Sequence, residues 1–108
     1  MTFNFNLTKT PTECVNKDDI REQIDLIDQQ IIRLFAQRFQ YVKEIVKFKR
    51  DAESVVAQDR KNHVIQQRGE WAEANGLDNE TFQQIYRLLV DHNISKEMEI
   101  LNCKQLKP

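Results

Sequence analysis

Positions 21, 24, 28, 31, 35, 38, 42, 45 and 49 advance in alternating steps of three and four, the spacing of one helix face. They read Arg21, Ile24, Asp28, Ile31, Phe35, Arg38, Val42, Ile45 and Lys49. The pattern predicts a first helix over about residues 19–50, with Asp19 as its cap and Glu22 completing a capping box. At about 1.5 Å per residue it would be roughly 45 Å long, more than a small globule needs. The segment DAESVVAQ, residues 51–58, breaks the period with Ser54 and the β-branched pair Val55 and Val56, and reads as a connector. A second helix is predicted over about 59–75, burying Val64, Ile65, Arg68, Trp71 and Ala72 and stopping at Gly76 in a left-handed cap. A third, over about 78–102, is capped by Asp78, with Leu77 and Phe82 at hydrophobic-staple spacing. Its apolar positions run from Phe82 and Ile85 through Tyr86, Leu89, Val90 and Ile94 to Leu101. Residues 1–17 read as an N-terminal tail, and no segment has the alternation of a strand. The two prolines, Pro11 and Pro108, lie outside the periodic segments. The expected fold is all-α, a three-helix chain forming a single domain.

The first helix is unusual in what its apolar stripe contains. Arg21, Arg38 and Lys49 share it with one acid, Asp28, and a desolvated cation needs a partner. Snorkelling to water, or pairing with Asp28 and nearby glutamates, accounts for one such cation. Three at heptad spacing point to a bound anion. Along one helix Arg21 and Arg38 would be about 25 Å apart and Arg38 and Lys49 about 16 Å, so no small ligand spans all three. Antiparallel pairing of two copies carries Arg21 of one toward the Arg38 to Lys49 region of the other. The pattern therefore predicts a homodimer with two cationic sites, each drawing on both chains. Arginine suits a carboxylate through its planar two-pronged fork, and lysine supplies a compact point charge.

Composition narrows the alternatives. At 108 residues the chain fits one small domain with a modest core, which association would enlarge. Its 16 basic and 17 acidic side chains are interspersed and leave a net charge of -1, so no global field draws nucleic acid or an anionic membrane. Cys14 and Cys103 lie far apart, and His63 and His92 lack ligand spacing, so neither a disulfide framework nor a metal site is expected. No run is long enough for a membrane span or a secretory signal, and a cytoplasmic protein is the expectation. Trp71 and the other helically spaced aromatics read as packing residues rather than a base-stacking platform.

A second anomaly lies on the third helix, where Val90, Ile94, Glu97 and Leu101 place a carboxyl between apolar neighbours. Desolvation there favours its neutral form, and a close lysine opposes that. A structural ion pair with a seam arginine is one reading. The other is catalytic: a neutral Glu97 donates a hydrogen bond to an oxygen that gains charge during a reaction.

The stretches TPTEC, IREQIDLIDQQI and QRFQYVKEIVKFK, then Arg60, then RGEWAEANGLD, occur in this order. With them the chain resembles the all-helical chorismate mutases over about residues 10–101, in the branch that includes the isochorismate pyruvate lyase of salicylate biosynthesis. The resemblance implies an intertwined homodimer of three-helix chains with two active sites and no cofactor. By position, Arg21 would come from the other subunit, Arg38 and Arg60 would hold substrate carboxylates, Lys49 would reach the ether oxygen and a carboxylate, and Glu97 would face Lys49 across that oxygen. Two departures stand out. The position of Glu97 looks like glutamine in the lyase and in many bacterial mutases, so Glu97 must be protonated to play that part. Near Arg60, Ala57 and Lys61 stand where mutases often carry carboxylates that meet the hydroxyl of chorismate, which leans toward the lyase.

The activity implied first is chorismate mutase, the rearrangement of chorismate to prephenate. The alternative is isochorismate pyruvate lyase, giving salicylate and pyruvate, alone or as a second activity. A third reading, from another class, is a non-catalytic helical dimerisation or regulatory module. The set of Arg21, Arg38, Lys49 and Arg60 argues against it.

Overall fold

The computed structural model describes residues 7–106, so residues 1–6 of the expected tail and Pro108 lie outside the described residues. Among the described residues four α-helices succeed one another: α1 (Lys17–Ile45), α2 (Ala52–Val56), α3 (Gln58–Ala74) and α4 (Asn79–Leu106). Three are long, and no strand occurs among the described residues. The chain divides after Gln40 into two compact units.

In the first unit, α1 begins earlier than its charge pattern predicts. Asn16 is the residue that caps it, accepting the Asp19 backbone N–H at 2.8 Å. Asp19 instead lies inside the first turn and turns its carboxylate back, accepting the Val15 N–H at 3.1 Å. Before it, a 3-10 turn at Pro11–Glu13 is closed by a capping box, in which the Glu13 carboxylate accepts from the Thr10 backbone at 3.0 Å and hydroxyl at 2.7 Å. Gln23 is the buried side chain of α1. Ile24, Ile31 and Ile45, all seam positions, are exposed, as are Ile20, Ile32 and Leu34.

Beyond α1 the chain departs further from the expected pattern. The helix ends at Ile45, tightens into a 3-10 turn at Val46–Phe48, and leaves Lys49 extended at φ -108° and ψ 136°. Lys49 therefore lies off the α1 stripe, and the 16 Å helical spacing to Arg38 does not apply. The physical reason is tertiary: Val46 is drawn into a core with Val55 and Leu101, flanked by Ile94, Met98 and Ile100. The same core explains α2, which replaces the expected connector. Asp51 caps it by accepting the Ser54 N–H at 2.8 Å, and burial of Val55 outweighs the low helix propensity of its β-branched pair.

In this second unit α3 packs on α4. Val64, Ile65 and Ala72 are buried on α3. Trp71 is not: half of it is exposed, with the Arg68 guanidinium 4.5 Å above its ring. The α3 terminus is a Schellman motif. Gly76 takes φ +77°, its N–H reaches the Glu73 carbonyl at 3.1 Å, and the Leu77 N–H reaches Ala72 at 2.8 Å. Asp78 then caps α4 through the Thr81 N–H at 2.9 Å and its hydroxyl at 2.6 Å. Gly69 is buried where a Cβ would press on Asn79 and Gln83 at the start of α4, so this close approach needs glycine.

Candidate active site

The buried core around Val46 and Leu101 fixes two charged side chains. Lys49 leaves the 3-10 turn with its backbone N–H held by the Val46 carbonyl at 3.1 Å. Glu97 sits on α4 between Ile94, Met98 and Leu101, in the stretch that packs on Val46 and Val55. The Lys49 ammonium lies 3.2 Å from Glu97 Oε1, and the two side chains are 17% and 8% exposed. The ammonium also donates to the Val55 carbonyl at 3.4 Å. Glu97 thus pairs with Lys49 rather than with a seam arginine.

The geometry of that pair matters chemically. At 3.2 Å the charges attract, yet Glu97 Oε1 is fully buried without a directed hydrogen bond. A buried polar atom left in this state calls for a reason. An ammonium and a protonated carboxyl held side by side, away from bulk water, are suited to stabilise negative charge appearing on an oxygen that approaches both.

One turn before Glu97, the Asn93 side chain is also buried. Asn93 and Glu97 have the i, i+4 relation that stacks side chains on one helix face. The periodicity of α4 did not single Asn93 out. Its signal was available, since an amide at that spacing among Val90, Ile94 and Leu101 is as anomalous as Glu97.

The remaining predicted residues lie on α1 and α3. Arg38 is half-buried on α1, and Arg60 is exposed in the first turns of α3. Arg60 borders an open groove with Glu53, Val56, Ala57 and Gln58. Among the described residues no ion pair involves Arg38 or Arg60. The Arg21 side chain is 71% exposed, and among the described residues its one ion-pair partner is a distant Asp18 carboxylate at 4.0 Å. Arg21 and Arg38 share α1 and stand about 25 Å apart along it, so one small ligand cannot meet both on one chain. Lys61, one of the departures near Arg60, is engaged by Asp91 of α4 in an ion pair.

Comparison with protein families matches residues 20–98 to chorismate mutase type II. The match starts one residue before Arg21 and ends one after Glu97, so it contains every predicted site residue. The chain belongs to the chorismate mutase type II family. It is also similar to a protein from Pseudomonas aeruginosa named isochorismate pyruvate lyase, at 33% identity over 91 residues, covering 84% of this chain and 90% of that one. Membership of the chorismate mutase family makes the chain an enzyme of that group acting on a small molecule such as chorismate. Among the described residues no group of three or more His, Cys, Asp or Glu is arranged to hold a metal ion. Among the described residues no helix is long and apolar enough to cross a membrane.

Proposed function

We propose that the protein is a chorismate mutase that acts as a homodimer. The observation that carries the reading is the buried Lys49–Glu97 pair, whose carboxyl oxygen lacks a directed hydrogen bond. Chorismate becomes prephenate within one molecule: the C–O bond to the ring breaks while a C–C bond forms from the enolpyruvyl arm. No nucleophile is required. Arg38, Arg60 and Arg21 of a second copy hold the two carboxylates so that the arm folds over the ring in a near-attack arrangement. As the C–O bond breaks, negative charge grows on the ether oxygen. Lys49 and a protonated Glu97 stabilise it by charge and by a donated hydrogen bond. Ionised Glu97 would instead set a carboxylate against that oxygen, so the pair that rests as ammonium and carboxylate takes up one proton from solvent before the reaction.

The apolar residues exposed along α1 support the second copy, because a monomer of this size rarely leaves such a face in water. The 25 Å between Arg21 and Arg38 supports it independently. Lyase activity on isochorismate is the second reading, favoured by the name of the Pseudomonas relative. There a ring hydrogen moves to the methylene carbon of the arm as the same C–O bond breaks, releasing pyruvate and leaving salicylate. The charge development is similar, and one pocket can serve both.

Two variants test the assignment. Arg38→Ala removes a carboxylate clamp and is expected to abolish measurable chorismate binding; normal affinity and turnover would refute its role. Glu97→Gln places a neutral donor at the same point and should keep turnover at least equal to that of the native chain. A loss of about 100-fold or more of kcat in this variant sinks the donor role.

A further inference from the structure

The segment before α1 is fastened to that helix with more polar bonds than a tail requires. Gln23, 7% exposed, accepts the backbone N–H groups of Thr8 at 3.1 Å and Lys9 at 3.4 Å, and donates to the Thr8 hydroxyl at 2.9 Å. The Lys9 ammonium binds Asp19 at 2.9 Å, and the same Asp19 oxygen holds the Val15 N–H. Apolar packing beneath the arm is incomplete: a hollow of about 190 Å³ remains, bordered by Leu7, Pro11, Cys14, Ile20 and Ile24. The polar latch therefore carries the attachment. It closes around the first two turns of α1, where Arg21 stands between Asp19 and Gln23.

Helix starts fray, because their first N–H groups lack partners within the helix. Among the described residues of its own chain, Arg21 has only Asp18 at 4.0 Å to steady it, and it is exposed. We infer that Gln23 and the arm from Leu7 to Asn16 are positioning elements: they hold the start of α1 rigid so that Arg21 is presented to the active site of a second copy. This rests on the shared-site reading above. Gln23 does not touch substrate; it acts through Arg21. Misplacing a charged clamp by about 1 Å costs up to two orders of magnitude in rate, which is what the latch guards against.

Mixed dimers separate this role from a general contribution to folding. Arg21→Ala and Arg38→Ala chains, refolded together, give hybrids with one site that draws Arg21 from the Arg38→Ala chain and Arg38 from the other, restoring about one quarter of wild-type activity. Gln23→Met is then added to one chain at a time. On the Arg38→Ala chain, which supplies Arg21 to the surviving site, it should raise KM and lower kcat/KM about tenfold. On the Arg21→Ala chain, whose helix start serves no intact site, the restored activity should persist. Equal loss in both placements overturns the positioning role while the shared site stands. Failure of the mixture to recover any activity overturns the shared site and the inference with it. Thr8→Val with Lys9→Met, which loosens the arm without altering α1, must reproduce the asymmetry should Gln23→Met fail to fold; its failure to do so also overturns the inference.

Discussion

Replacing Lys49 by methionine strands a carboxylate. In the native protein the ammonium is 3.2 Å from Glu97 Oε1, in a site where both side chains are largely desolvated. At that distance and an effective dielectric near 20 the attraction is about 5 kcal/mol. Part of it offsets the desolvation of the two charges, so removing one partner should cost about 3 kcal/mol rather than the full amount. Lys49→Met and Glu97→Leu should each lose about this much stability at neutral pH, because each leaves the other charge buried alone. The double variant should recover to within about 1–2 kcal/mol of wild type, since Met and Leu beside Ile94, Met98 and Leu101 form an ordinary apolar contact. Urea unfolding followed by far-UV circular dichroism measures all four proteins, at one fixed protomer concentration because association adds to apparent stability. Losses that simply add in the double variant would show that the two charges do not depend on each other, and would refute the reasoning.

Three further outcomes are expected from the geometry. Gly69→Ala drives a Cβ into Asn79 Oδ1 and to 2.7 Å from Gln83 Cγ; this should lower stability by about 1–3 kcal/mol despite the better helix propensity of alanine, and an unchanged melt would refute the close approach. Ala57 holds φ 41° between α2 and α3, a left-handed conformation costing a residue with a Cβ about 1 kcal/mol, so Ala57→Gly should raise the melting temperature slightly and a fall would contradict the strain. The Asp19, Asp51 and Asp78 carboxyls are held below their ordinary 3.8, chiefly by hydrogen bonds from Lys9, Ser54 and Thr81 respectively. Their folded values are depressed, so their contribution is complete above 3.8 and is lost as pH falls through the depressed values. Asp78→Asn, which keeps an accepting oxygen, should flatten part of the acid limb of a melting series from about pH 5 to about pH 2; an identical limb would refute that share.

How much of the fold was legible in the sequence depends on the range of the forces involved. The stop at Gly76 and the start at Asp78 were legible because caps are local chemistry, complete within a few residues. Val64, Ile65 and Ala72 were legible because α3 presents one face to α4. Lys49 was placed on the wrong element for a related reason: the three-and-four period continues through Ile45 to Lys49, while burial of Val46 against Val55 and Leu101 turns the backbone out of the helix. That burial is a long-range fact that no window of sequence contains. It also produces α2, which local propensity disfavours. Glu97 stood out by spacing alone, whereas its pairing with Lys49 depends on two segments nearly fifty positions apart in the chain. Gln23 gave no signal, since a glutamine at a polar helix position is ordinary until the backbone of Thr8 and Lys9 folds back onto it.

The most direct test of the central claim is turnover of chorismate and isochorismate side by side by the purified protein and by Lys49→Met, tracking prephenate and salicylate formation. Wild type should convert chorismate to prephenate, and the variant should lose about 100-fold or more of kcat, the scale of removing one stabiliser of developing charge on oxygen. Efficient salicylate formation with no prephenate would move the activity to the lyase. Silence with both substrates, or a Lys49→Met variant that turns over like wild type, would contradict catalysis at the Lys49–Glu97 pair.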